Sequence, residues 1–131
     1  MSKLLLLLFT LGACQVSAAK PTNFIQILTD DQGWADLGCY GHESIKSPHI
    51  DKLAADGIKF THSYSSAGVC SPARAAILTG RTPYRAGVYH WIHDKHKLHL
   101  PASEITIPQV LRENGYETAH FGKWHLSWYS N

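Results

Sequence analysis

A chain of 131 residues suffices for one small domain or part of a larger one, and a composition of 44% hydrophobic and 17% charged residues is globular and not disordered. The formal net charge is +2 with nine His uncounted, and no Lys/Arg stripe is present, so charge gives no ground for a nucleic-acid partner.

The chain opens with Lys3 before Leu4-Leu5-Leu6-Leu7-Leu8-Phe9-Thr10-Leu11, followed by the small residues Val16-Ser17-Ala18-Ala19. A basic start, a short apolar core and a small-residue site read as a secretory signal peptide over residues 1–19. The apolar run is too short to cross a bilayer, which takes about 20 residues, so no transmembrane segment is expected. The reading implies export, to a periplasm or the extracellular space, or to a lysosome in a eukaryote. Leu11-Gly12-Ala13-Cys14 also resembles a bacterial lipobox, which ranks second and would make Cys14 a lipid anchor. Cys39 and Cys70 then remain in the mature chain. They could form one disulfide, but two Cys make no framework.

Asn23-Phe24-Ile25-Gln26-Ile27-Leu28 is a short apolar run before Thr29-Asp30-Asp31 and reads as a buried strand. Ser47 caps a helix with Pro48 at its first position and Ile50, Leu53 and Ala54 on its apolar face, stopped by Gly57. Residues 58–64 alternate and read as a second strand. A helix from Ser71-Pro72 to Gly80 places Cys70 at its N-terminus, and Thr106-Ile107-Pro108 opens another that ends at Gly115. Residues 116–121 read as a third strand, leading into Gly122-Lys123-Trp124-His125. Between the last two helices His90, His93, His96 and His99 recur every third residue. The paired Cys/His spacing of a zinc site is absent, which favours a pocket lining or a solvated loop. The alternation of strands and helices argues an α/β fold, a mostly parallel sheet with helices on both faces.

Ligands of open α/β sheets bind beyond the carboxyl ends of the strands. Asp30 and Asp31 stand at one such end, Lys123 and His125 at another, and Cys70 at a helix start that favours anions. Adjacent carboxylates suit a hard cation such as Ca²⁺ or Mg²⁺ between them, or else a simple turn.

Cys70-Ser71-Pro72-Ala73-Arg74, with Ala75-Ala76-Ile77-Leu78-Thr79-Gly80-Arg81 behind it, resembles the signature of the type I sulfatases of the alkaline phosphatase superfamily. Thr29-Asp30-Asp31-Gln32-Gly33-Trp34 with Leu37-Gly38-Cys39-Tyr40-Gly41 is similar to that family's first metal-binding segment, and Gly122-Lys123-Trp124-His125-Leu126 to its second short motif. The likeness runs from about Pro21 to Leu126, so that residues 20–131 are identified as the N-terminal part of a sulfatase catalytic domain.

The resemblance implies hydrolysis of sulfate esters of carbohydrates or aryl compounds. Cys70, Pro72 and Arg74 would be the recognition core for a formylglycine-generating enzyme, which oxidises the Cys to formylglycine. That residue, hydrated to a geminal diol, would attack sulfur with one hydroxyl and expel sulfate through the other. Asp30, Asp31 and the residue at position 70 would bind a divalent cation, usually Ca²⁺ with Mg²⁺ as the alternative. Arg74 would hold the diol or the carboxylates, Lys123 would neutralise sulfate oxygens, and His125 would orient or deprotonate the diol. Arg81 would brace its loop. The family supplies further ligands downstream, an Asp with an Asn or His, plus another His and Lys, so this stretch alone is expected to hold half a site and show no turnover. A phosphate or phosphonate monoester hydrolase of the same superfamily, and a non-catalytic binder of sulfated glycans, are the competing readings.

Overall fold

The computed structural model describes residues 22–93 and 97–127. The expected signal peptide, Cys14 and His96 lie outside them.

Among the described residues three α-helices form where turn chemistry allows them: α1 at Pro48–Asp56, α2 at Cys70–Thr79 and α3 at Ile107–Glu113. Proline stands in the first turn of α1 and of α3, where its missing N–H costs nothing. Gly80 ends α2 in the left-handed conformation, with its N–H on the Ala76 carbonyl. Ser47 occupies the N-cap position of α1, but its hydroxyl does not cap the helix as expected. It donates to Asp51 Oδ1 at 2.9 Å and accepts the Gly38 N–H at 2.8 Å. Asp51 Oδ1 also accepts the Cys39 N–H at 2.7 Å. This clamp fastens a 3₁₀ turn, Gly38–Tyr40, onto α1. A Cβ at position 38 would lie 2.6 Å from Asp51 Oδ2, so a side chain there would push the carboxylate out of the clamp.

The expected sheet is not formed among the described residues. Residues 23–28, 58–64 and 116–121 belong to no β-ladder. Their large side chains stand exposed, with Ile25 at 87% and Phe121 at 90%. A strand is completed only by a neighbour that takes its N–H and C=O groups, so composition alone cannot make one. Two of the segments nevertheless lie side by side in parallel. The ring of Phe24 is 5.7 Å from that of Tyr116 near their starts, and Lys123 Nζ is 2.9 Å from Asp30 Oδ2 at their ends. The α1 face expected to be buried is also open, with Leu53 66% exposed.

The core lies elsewhere. Ala75 of α2 packs with Ala86, Val88, Ile92 and Leu126, and Leu78, Leu98 and Leu100 close around them. The Leu100 N–H donates to the Leu126 carbonyl at 2.9 Å. The helix that begins at Cys70, the loop after it and the segment holding Lys123 and His125 therefore share one apolar cluster. No helix among the described residues is long and apolar enough to cross a membrane.

Candidate active site

Cys70 is the first residue of α2, with Val69 as its N-cap. Unbonded N–H groups of the first turn make that end attractive to anions. Both Cys70 and Cys39 are free thiols, so the possible disulfide between them is not formed. Arg74, one turn on, is only 9% exposed and lies under the site. Its Nη2 donates to Asp30 Oδ1 at 3.0 Å and its Nη1 to the Lys123 carbonyl. Lys123 Nζ donates to Asp30 Oδ2 at 2.9 Å and to Cys70 Sγ at 3.3 Å. Gly122 supplies the turn before Lys123 with a φ of 90°, which a side chain would resist. Four residues from three stretches thus form one hydrogen-bonded cluster.

Charge follows geometry. The hydrogen bond from Lys123, and then that from Arg74, hold the Asp30 carboxyl below its ordinary value. Asp30 in turn raises the Lys123 ammonium above its ordinary value, with Cys70 adding to the effect. Asp31 is exposed and stands in the left-handed region at φ 55°. His125 has the same φ, and these two are the only non-glycine residues so placed among the described residues. Such a conformation costs roughly 1–3 kcal/mol and gathers at functional sites.

The ligand atoms of Asp30, Asp31 and Cys70 all lie within 4.8 Å of one another. The donor set fits a hard cation in part. Asp30 accepts one hydrogen bond on each oxygen, whereas a carboxylate has about four acceptor positions. The thiol is the mismatch, since Ca²⁺ and Mg²⁺ prefer oxygen, and an oxygen-bearing residue at position 70 would remove it.

His125 faces the loop after α2. Its Nε2 donates to the Ile92 carbonyl at 2.7 Å, and its ring stands edge-on to Trp91 at 5.6 Å. Its Nδ1 is buried without a hydrogen-bond partner among the described residues. Arg81 braces its loop, with Nη1 2.7 and 2.9 Å from the two carboxylate oxygens of Glu104. Of the repeated His, His90 packs on Tyr89, His93 on Trp91, and His99 lines a groove of about 520 Å³ with Leu100, Trp124 and Leu126. Among the described residues they form no ligand cluster. Ser71, Trp91 and Ile92, which sequence reasoning did not single out, belong to the surroundings of His125. No spacing rule points to a serine inside a helix, or to a backbone carbonyl.

Residues 22–131 match the family described as Sulfatase, and the chain belongs to that family. It is 45% identical to human arylsulfatase A over 115 residues, covering 87% of this chain and 23% of that protein. It is 40% identical to dog N-acetylgalactosamine-6-sulfatase over 132 residues, covering 95% and 25%. Among solved structures it resembles Ps i-CgsB in complex with k-i-k-neocarrahexaose, with a TM-score of 0.71 at 36% identity, over 75% of this chain and 22% of that one. A structure connected with the metabolism of multiple glycosaminoglycans by Bacteroides thetaiotaomicron gives a TM-score of 0.68 at 38% identity, over 74% and 20%. These relatives carry the alkaline phosphatase-like sulfatase fold, of which the chain spans about a quarter of the length.

Proposed function

We propose that the protein hydrolyses sulfate esters, with a formylglycine made from Cys70 as nucleophile. The carrying observation is Lys123 Nζ, which bridges Asp30 and Cys70 Sγ at the N-terminus of α2. That arrangement puts an ammonium beside the helix N-terminus where an anionic ester would meet position 70, with the Arg74 guanidinium bracing Asp30 beneath it. Formylglycine at position 70, once hydrated, would supply one hydroxyl able to attack sulfur and a second whose deprotonation would release sulfate. A divalent cation held by Asp30, Asp31 and position 70 would polarise a sulfate oxygen.

The chain's own residues do the remaining work. Lys123 offsets charge on the sulfate oxygens, and the N–H groups that open α2 add to it. Arg74 fixes Asp30 from below, so that carboxylate keeps one orientation. His125, two residues after Lys123, is assigned the role of orienting the nucleophile or taking its proton, as in the family's motif. A sulfated carbohydrate is the favoured substrate, since some relatives are named for N-acetylgalactosamine-6-sulfate or described with glycosaminoglycans and a bound neocarrahexaose. A formylglycine-generating enzyme is the implied partner, residues 1–19 act as the export signal, and residues 20–131 form part of the catalytic domain.

Paired rates on an aryl sulfate and the matching aryl phosphate, with the full-length protein, test the proposal. Sulfate is expected to turn over faster. A faster phosphate reaction would favour the phosphomonoesterase reading, and turnover of neither, with intact binding of sulfated glycan, the binder.

A further inference from the structure

We infer that Ser71 is a positioning residue that sets the tautomer of His125 through residue Ile92. The inference rests on the proposed role of His125 as proton acceptor, but its geometry is independent of any substrate. Ser71 is fully buried, and its Oγ accepts the Ile92 N–H at 3.1 Å. Ile92 is also fully buried, and its carbonyl lies 2.7 Å from His125 Nε2. A carbonyl only accepts, so that nitrogen carries the hydrogen. In the neutral ring the lone pair then sits on Nδ1, the buried atom with no partner among the described residues. Trp91, edge-on to the imidazole, restricts its rotation.

The linkage has a consequence for the nucleophile as well. Ser71 directly follows Cys70, so the same turn of α2 that presents position 70 also anchors residue 92. Nucleophile and proton acceptor are thereby held by one short path, a serine and one residue of the following loop. His125 also keeps a left-handed backbone at φ 55°, a conformation that gathers at functional sites.

The test uses full-length protein with ¹⁵N-labelled histidine and a His125→Gln variant to assign the signal. Wild type is expected to show His125 with the proton on Nε2. Ser71→Ala is expected to give a mixture of tautomers and, per formylglycine centre counted by mass, a kcat roughly tenfold lower with KM within about twofold. Ser71→Thr keeps the hydroxyl and is expected to restore both readouts, which also answers a poorly folded alanine variant. A proton on Nδ1 in wild type, or an unchanged tautomer and kcat in Ser71→Ala, would overturn the inference. The expected tautomer pattern without sulfate turnover in wild type would instead count against the proposed function alone.

Discussion

Lys123 is the residue on which the charge balance of the site turns. It is the contact between Asp30 and Cys70, and its ammonium is raised by both. Lys123→Ala removes the donor aimed at the sulfate and leaves Asp30 with Arg74 alone. The expected loss in kcat is about 10²-fold or more, read in steady-state kinetics, because donors placed where charge develops contribute on that order. An unchanged kcat with a raised KM would make Lys123 a binding residue only. Asp30, Asp31, Cys70, Arg74 and Lys123 were legible in the sequence through short motifs that resemble the sulfatases', and the structure brings these five side chains together. Ser71 and Ile92 were not, because a buried hydroxyl on a backbone N–H, and a carbonyl on an imidazole, leave no pattern in residue type.

At the scale of elements, the helices were readable and the sheet was not. Pro48, Gly57, Gly80 and Pro108 mark helix ends by local backbone chemistry, and the helices end where these residues stand. A ladder is a property of two segments, and the runs at 23–28 and 116–121 can announce a strand without supplying its partner. The clamp on α1 shows the same limit: Ser47 was legible as a cap, yet it serves Asp51 and Gly38. Its hydrogen bonds from Ser47 and Cys39 hold the Asp51 carboxyl below its ordinary value. A depressed carboxyl stabilises the fold above its unfolded pKa of about 3.9, and that contribution is lost as pH falls through the folded value. The thermal midpoint of wild type is therefore expected to exceed that of Asp51→Asn at pH 7, and the gap to close in the acid range below pH 4. A constant gap down to pH 3 would contradict the clamp.

At the scale of the molecule, much apolar surface has no cover among the described residues. Ile25, Ile27, Ile58, Phe60 and Phe121 are each more than half exposed. Large apolar side chains left this exposed suit packing against further structure. Residues 20–131 expressed alone are expected to bind an apolar dye such as anilinonaphthalene sulfonate strongly and to show no sulfatase turnover. A dye-silent, catalytically active preparation would contradict this. Conversion of Cys70 is what would give the cluster of Asp30, Arg74 and Lys123 its nucleophile. The most direct measurement is the mass of the peptide spanning Cys70, from protein purified out of a host that carries a formylglycine-generating enzyme. The predicted peptide has lost hydrogen sulfide and gained one oxygen, and its aldehyde reacts with hydroxylamine. An intact cysteine in catalytically active protein would contradict the account.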